Sequence, residues 1–390
     1  MSPDSGKKKS TAVKGRHKMD KKERARDLGI PFDGNPGRWN AITDVAGVEV
    51  GFSTLIIGEP SENMSSSAEF ARTGVTAILP RGHRRSAVFA GRHDLNGNGE
   101  LTGTHWIDDS GFLHGPLLIT NTNSVGICRD TAAKWMLRNG YFYPSYVDGK
   151  EVPGFGFFYP SVGETYDGML NNINGFMVKE EHVLEALDGA ASGPVAEGNV
   201  GGGTGMRCFN FKGGTGTASR IVEIEEVGSF TLGILVQANF GFREDFTIRG
   251  IPVGRLIRDC DERIVNRAVN DGDGSIIAIA ATDAPLLPWQ LSKICRRISI
   301  GLGLLGGGCQ NGSGDVFLAF STANENAFCR TVTKVELLSD EKIDPLYRAA
   351  VQAAEEAVLN ALCAAESMTG RNCNFTPAMP HDQIKLLFRA

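Results

Sequence analysis

Glycine constrains this chain more than any other residue. It supplies 49 of 390 positions, well above the ~7% of an average protein, and it follows no collagen-like period. The glycines cluster between short apolar runs, the pattern of a β-rich fold with many tight turns and close backbone approaches. Strand-like runs bounded by turn residues are "TGVTAILP" (73–80), "GPLLIT" (115–120), "FTLGILVQANF" (230–240) and "SIIAIAA" (275–281), with 39–57 as the first. Helical spacing is read over 128–140 and 179–189, each ending at glycine, over 289–305 behind Pro288, and over 343–367. No linker-like break interrupts 30–390. The expectation is a single α/β domain over 29–390, with sheets packed on each other and helices outside.

Charge and cysteine usage narrow the partners. The formal net charge is −5, so the chain as a whole is not built to neutralise phosphates. Residues 1–28 are rich in Lys and Arg and nearly devoid of apolar side chains, and they read as a solvated, disordered basic tail rather than a nucleic-acid arm. Eight scattered cysteines without CxxC pairs read as reduced thiols. No membrane-length apolar window and no secretory h-region is present, so the expected location is cytoplasmic, with no membrane partner and nucleic acid disfavoured.

Several common chemistries are absent from the sequence: HExxH, GxSxG and Walker A do not occur. "GLGLLG" (301–306) matches GxGxxG, but it lies at the end of a helical pattern instead of between a strand and a helix. His105 and His114 do not form a metal pair, and neither a metal nor a cofactor is expected. Attention falls on Ser275, a lone serine between the turn "NDGDG" (270–274) and the apolar run that follows. Gly274 has no Cβ, so its carbonyl is open to close approach. Attack by the Ser275 hydroxyl would move the acyl group from nitrogen to oxygen, and hydrolysis would cut the chain at Gly274–Ser275. The freed α-amine, with an ordinary pKa of ~7.7–8.0, would then serve as base for its own hydroxyl. By spacing alone the stronger reading of this serine is an ordinary turn end, since Asp-Gly-Ser turns are common. Further on, Ser313 and Asp315 stand at i and i+2 where a strand begins, on one face, and could relay a hydrogen bond to a nucleophile on a neighbouring strand.

Seven stretches in one order resemble the self-cleaving serine L-aminopeptidase/D-esterase family, which includes the β-peptidyl aminopeptidases. They are 95–107, 117–130 ("LLITNTNSVGICRD"), 163–176 ("GETYDGMLNNINGF"), 198–220, 235–241 ("LVQANFG"), 272–291 ("GDGSIIAIAATDAPLLPWQL") and 311–322 ("NGSGDVFLAFST"). The resemblance implies a four-layer αββα sandwich of the N-terminal-nucleophile type. It also implies self-processing into an α chain (1–274) and a β chain (275–390), and a homotetramer of processed protomers. Ser275 matches the nucleophile, and Ser313 and Asp315 match the supporting serine and acid. The β-peptidyl members carry Glu at the acidic position, so Asp here is one methylene shorter. Asn239 matches an oxyanion-stabilising asparagine, and Tyr166 a tyrosine near the nucleophile. Glu164 is the candidate anchor for a substrate ammonium. The implied substrates are short peptides, amino-acid amides or esters with a free amine. Two readings stand beside this one: an acyltransferase of the self-cleaving ornithine acetyltransferase type, which cuts before threonine, and a silent homologue that associates with nucleic acid.

Overall fold

The computed structural model describes residues 22–141, 157–258, 274–329 and 331–389, together with the backbone of 145–147 and 150–152. One sheet has four strands, β1 (Glu49–Ile57), β2 (Ala71–His83), β5 (Leu117–Asn121) and β8 (Ser161–Thr165), in the order β1-β2-β5-β8. The other has six: β3 (Val88–Gly97), β4 (Phe112–Leu113), β11 (Gly214–Ile224), β12 (Gly228–Asn239), β13 (Ser275–Thr282) and β14 (Gly314–Ser321). Their order is β11-β12-β13-β14-β3-β4. Among the described residues three small two-stranded sheets lie apart, β6 (Ser145–Val147) with β7 (Lys150–Val152), β9 (Arg207–Cys208) with β10 (Phe211–Lys212), and β15 (Met368–Thr369) with β16 (Phe375–Thr376). The main helices are α2 (Val125–Arg138), α3 (Glu180–Asp188), α5 (Pro288–Leu304) and α6 (Asp344–Ala364), with short α1 (Thr104–Ser110) and α4 (Val253–Leu256) between them.

Three apolar layers hold these elements in αββα order. Alternate residues of β13 divide between two of them: Ile276, Ala278 and Ala280 meet the helix layer of α5 and α6, while Ile277, Ile279 and Ala281 face the four-stranded sheet. A strand buried on both faces needs a continuous apolar run, which is what "IIAIAA" supplies. The third layer packs β2, β5 and β8 against Trp135 and Met136 of α2 and Val183 and Leu187 of α3. Helix α5 starts at Pro288, with the Gln290 side chain accepting from the Leu287 amide at 3.1 Å. Its buried Leu291, Ile294, Cys295, Ile298 and Leu302 form one face. The GxGxxG stretch closes this helix, so its glycines end an element instead of opening one.

Two expectations shift. The strand read over 39–57 begins only at Glu49, because Asp44 binds the backbone of what precedes it: its carboxylate accepts from the amides of Trp39 (2.9 Å) and Ala41 (3.0 Å), closing a short 3-10 turn. The basic tail read over 1–28 also ends sooner. Ala25 and Leu28 are buried in the helix-side core, and Arg26 forks onto Glu356 at 2.7 and 2.8 Å. Two small apolar residues among seven charged or polar ones give too weak a periodicity to see in sequence. Residues 1–21 lie outside the described residues.

Candidate active site

Three strand ends meet at one end of the six-stranded sheet. Ser275, the first residue of β13, pairs with Asn239, the last of β12, and with Gly314, the first of β14. Across the intersheet gap, β8 ends at Glu164 and Thr165 with Tyr166 just beyond, and β5 is followed by Thr122. Together they border a cleft of about 390 Å3, lined among others by Ser275, Gly274, Asn239, Tyr166, Glu164 and Arg207. Ser275 is only 6% exposed.

Local glycines allow strands to close this tightly. A Cβ on Gly274 would lie 2.0 Å from the Asn239 carbonyl oxygen, and one on Gly314 would lie 2.3 Å from that of Asn98. The Gly274 carbonyl, on the bond before Ser275, accepts from the Gly314 amide at 3.1 Å. Asn239 is clamped at both ends of its side-chain amide: Oδ1 accepts from the Arg207 amide at 2.8 Å, and Nδ2 donates to the Tyr166 carbonyl at 2.9 Å. One Nδ2 hydrogen is committed by that bond, and an amide NH2 carries a second donor. This fixed orientation is what a preorganised oxyanion donor requires.

Glu164 is buried, at 4% exposure. It accepts from the Glu100 amide at 3.0 Å and from the Thr122 hydroxyl. Burial pushes its carboxyl above the ordinary carboxylate range, and those two hydrogen bonds offset part of the shift. Tyr166 is half-exposed, at 48%, on the cleft wall.

Ser313 and Asp315 are also brought together, the Ser313 hydroxyl donating to Asp315 Oδ1 at 2.7 Å. Burial raises the Asp315 carboxyl, with the Ser313 bond acting against it. Their relation to Ser275 is less direct than i and i+2 suggested. Asp315 alternates with Phe317 and Ala319, which face the helix layer, whereas Ser275 alternates with Ile277 and Ile279, which face the other sheet. Among the described residues, no hydrogen bond joins Ser275 to either of them. Asp315 and the Ser275 side chain therefore belong to opposite faces of one sheet.

Four supporting residues escape sequence reasoning. Thr122 holds Glu164, and Arg207 holds Asn239 through its backbone. Asp167, fully buried, has its carboxyl pushed up to about 7 by burial, with Thr73 and Asn171 bonding against the shift. Lys212, also fully buried, is brought down to about 7 by burial, and its ammonium donates to the carbonyls of Gly203 (3.3 Å) and Gly213 (2.8 Å). It braces the glycine turn (201–205) that ends on the cleft wall at Gly205. All four stand in stretches already singled out for their resemblance, Thr122 in 117–130, Asp167 in 163–176 and Arg207 and Lys212 in 198–220, but nothing local in those stretches marks their roles. Among the described residues, no group of three or more His, Cys, Asp or Glu is placed to hold a metal, and no helix is long and apolar enough to cross a membrane.

The four layers and the polar cleft at the strand ends place the chain among proteins of the N-terminal-nucleophile (Ntn) hydrolase fold. A solved structure of the L-aminopeptidase D-Ala-esterase/amidase of Ochrobactrum anthropi, a serine aminopeptidase with a variant of that fold, aligns at TM-score 0.83 and 47% identity, over 94% of this chain and 98% of the other. A β-aminopeptidase of Burkholderia sp. aligns at 0.80 and 42%, over 93% and 97%. The β-peptidyl aminopeptidase BapA of Sphingosinicella microcystinivorans is 49% identical over 378 residues, 94% of this chain and 92% of its own. The family model of peptidase family S58 matches residues 40–376. The chain belongs to peptidase family S58 and is a serine aminopeptidase.

Proposed function

We propose that the protein cuts itself before Ser275 and then uses that serine to remove the first residue from short peptides, amino-acid amides or esters. The observation that carries this reading is the placement of Ser275 at the start of a buried strand, in the cleft, between Asn239 and Gly314. In maturation the Ser275 hydroxyl attacks the Gly274 carbonyl carbon, whose oxygen already accepts from the Gly314 amide. The C–N bond breaks as the C–O bond forms, and the proton moves to the leaving nitrogen. Water then hydrolyses the ester, leaving the Gly274 carboxylate and a free Ser275 amine.

In turnover the same hydroxyl attacks the first carbonyl of the substrate. Asn239 Nδ2 donates to the oxyanion, a contribution of about 3–4 kcal/mol for donors of this kind. Glu164 receives the substrate ammonium, and the leaving amine departs before water releases the acyl group. We assign the base to the Ser275 amine, since the Ser313–Asp315 pair lies toward the helix layer before cleavage; that pair serves as support. Substrates with α- or β-amino groups both fit the names of the relatives, and a tetramer of processed protomers is part of the proposal.

Denaturing electrophoresis of the purified protein tests it, with N-terminal sequencing of the smaller band. The expected result is two bands of roughly 29 and 12 kDa by residue share of 41.8 kDa, the smaller starting Ser-Ile-Ile. A single band of about 42 kDa that is inert toward amino-acid amides sinks the reading. Comparing hydrolysis with acetyl transfer separates it from the acyltransferase alternative.

A further inference from the structure

The glycines around the cleft are of two kinds. A Cβ on Gly205 would lie 2.2 Å from the Arg72 carbonyl oxygen, and those on Gly274 and Gly314 would meet backbone oxygens in the same way. Gly168 differs. A Cβ there would lie 2.2 Å from Tyr166 Oη, 2.3 Å from Cζ and 2.9 Å from Cε2, so the far end of one tyrosine ring fills the space of its missing side chain. The φ of Gly168 lies outside the left-handed region and does not by itself demand glycine. Tyr166 is held by its backbone and not by its ring. Its carbonyl accepts from Asn239 Nδ2 at 2.9 Å. The residues on either side are buried and bonded: Thr165 Oγ1 accepts from Gln237 Nε2 at 2.8 Å, and Asp167 Oδ1 accepts from Asn171 Nδ2 at 3.0 Å. Among the described residues no hydrogen bond holds the Tyr166 hydroxyl. Tyr166 lines the cleft and the buried Gly168 does not, so the ring stands between Gly168 and the open space.

We infer that Gly168 is a specificity-determining residue: its missing side chain is the seat on which the Tyr166 ring lies back, and that seat sets the room for the substrate's first side chain. This rests on the reading that Glu164, two residues before Tyr166 on the same stretch, receives the substrate ammonium, which brings the first residue to this wall. With the backbone fixed on both sides, the ring is the part that yields. A Cβ at position 168 lifts it off the loop and toward the cleft. Moving a wall by the width of a methyl group is a change to which apolar pockets respond with about tenfold or larger shifts in preference.

The test compares kcat/KM for phenylalanine amide and alanine amide in the purified full-length protein and in Gly168→Ala, each also with Tyr166→Ala or Tyr166→Phe. Gly168→Ala is expected to lower the phenylalanine-to-alanine ratio by about tenfold. With Tyr166→Ala the same substitution should leave the ratio unchanged, because the ring it displaces is gone. With Tyr166→Phe it should still act, since ring carbons remain at 2.3 and 2.9 Å from the added methyl. A crystal structure of Gly168→Ala should show the ring turned off the loop. A ring still in its seat overturns the inference whatever the rates. An unchanged or raised ratio in Gly168→Ala overturns it as well, as does an equal loss with and without the ring. So does a Gly168→Ala protein that fails to fold, because the glycine then serves the backbone. A wild type inert on both amides defeats the underlying reading instead.

Discussion

Two buried carboxylates in this molecule show how differently the same side chain is used. Glu356, on α6, receives both prongs of Arg26 at 2.7 and 2.8 Å, the Asn40 amide at 2.6 Å and Arg220 at 2.7 Å. Arg220 is itself spent on the carbonyls of Asp33, Ser219 and Gln352. Burial acts to raise Glu356, but the Arg26 hydrogen bonds and the Arg220 charge outweigh it, and its pKa falls below the ordinary carboxylate value. Glu164 is nearly as well buried, yet its partners among the described residues are a backbone amide and a hydroxyl, and its pKa rises. Burial and a perturbed pKa are common to both. What separates them, among the described residues, is that no cation is paired with Glu164 and that it lies in the wall of a cleft, the setting that its proposed role toward a substrate ammonium requires.

The largest effect expected is on the reacting group. Ser275→Ala should lower kcat/KM by at least about 10^4-fold with little change in melting temperature, since a small side chain at a strand end is lost. A melting temperature that collapses with activity would mean the cleft end of the sheet is as structural as the Glu356 end. At that other end, Glu356→Gln should cost about 3–5 kcal/mol of stability by stranding two arginines, measured by denaturant titration. Its kcat/KM per folded molecule should hold. An activity loss larger than the folded fraction explains would break the division between the two clusters.

Asn239→Ala should reduce kcat by about 10^2–10^3-fold with KM nearly unchanged, the pattern of a donor used only in the transition state. An effect confined to KM would instead make Asn239 a ground-state binding residue.

The smallest effects belong to Glu164→Gln. KM for substrates with a free amine should rise about 10–100-fold, by loss of a charge-assisted bond. The stability change should oppose that of Glu356→Gln. Glu164 has a raised folded pKa, so its stabilising linkage is complete below the unfolded value and fades as pH rises through the folded one. Removing it should therefore raise the melting temperature at neutral pH. Glu356 has a lowered folded pKa, so its contribution stands above the unfolded value and is lost as pH falls through the folded one. Melting curves against pH for both variants check the two signs together; parallel profiles would erase the contrast.

Much of the architecture is legible in the residues because the relevant forces are local. "IIAIAA" is a short apolar run bounded by turn residues, the pattern of a doubly buried strand, and Pro288 and the periodic leucines and isoleucines delimit α5. Ser275, Asn239, Tyr166 and Glu164 are also found from sequence, through motifs read in order, and all four line one cleft. Other features depend on which elements the fold brings together. Thr122 meets Glu164 because β5 and β8 run parallel side by side, and Arg207 holds Asn239 across 32 residues of chain. The tail residues Ala25 and Leu28 are core only because α6 and the six-stranded sheet offer them a place.

The alternation of strands and glycine turns, the approximate helix limits and the short list of polar residues worth testing are written in local stretches of the chain. Which faces those residues share follows from the packed fold. Ser313 and Asp315 are neighbours by spacing, as i and i+2 on any strand must be. Whether they share a face with Ser275 depends on the register of β13 against β14, and that register sets Gly314 opposite Ser275. Register is set by the packing of two sheets and a helix layer at once, and no local stretch of the chain contains that information.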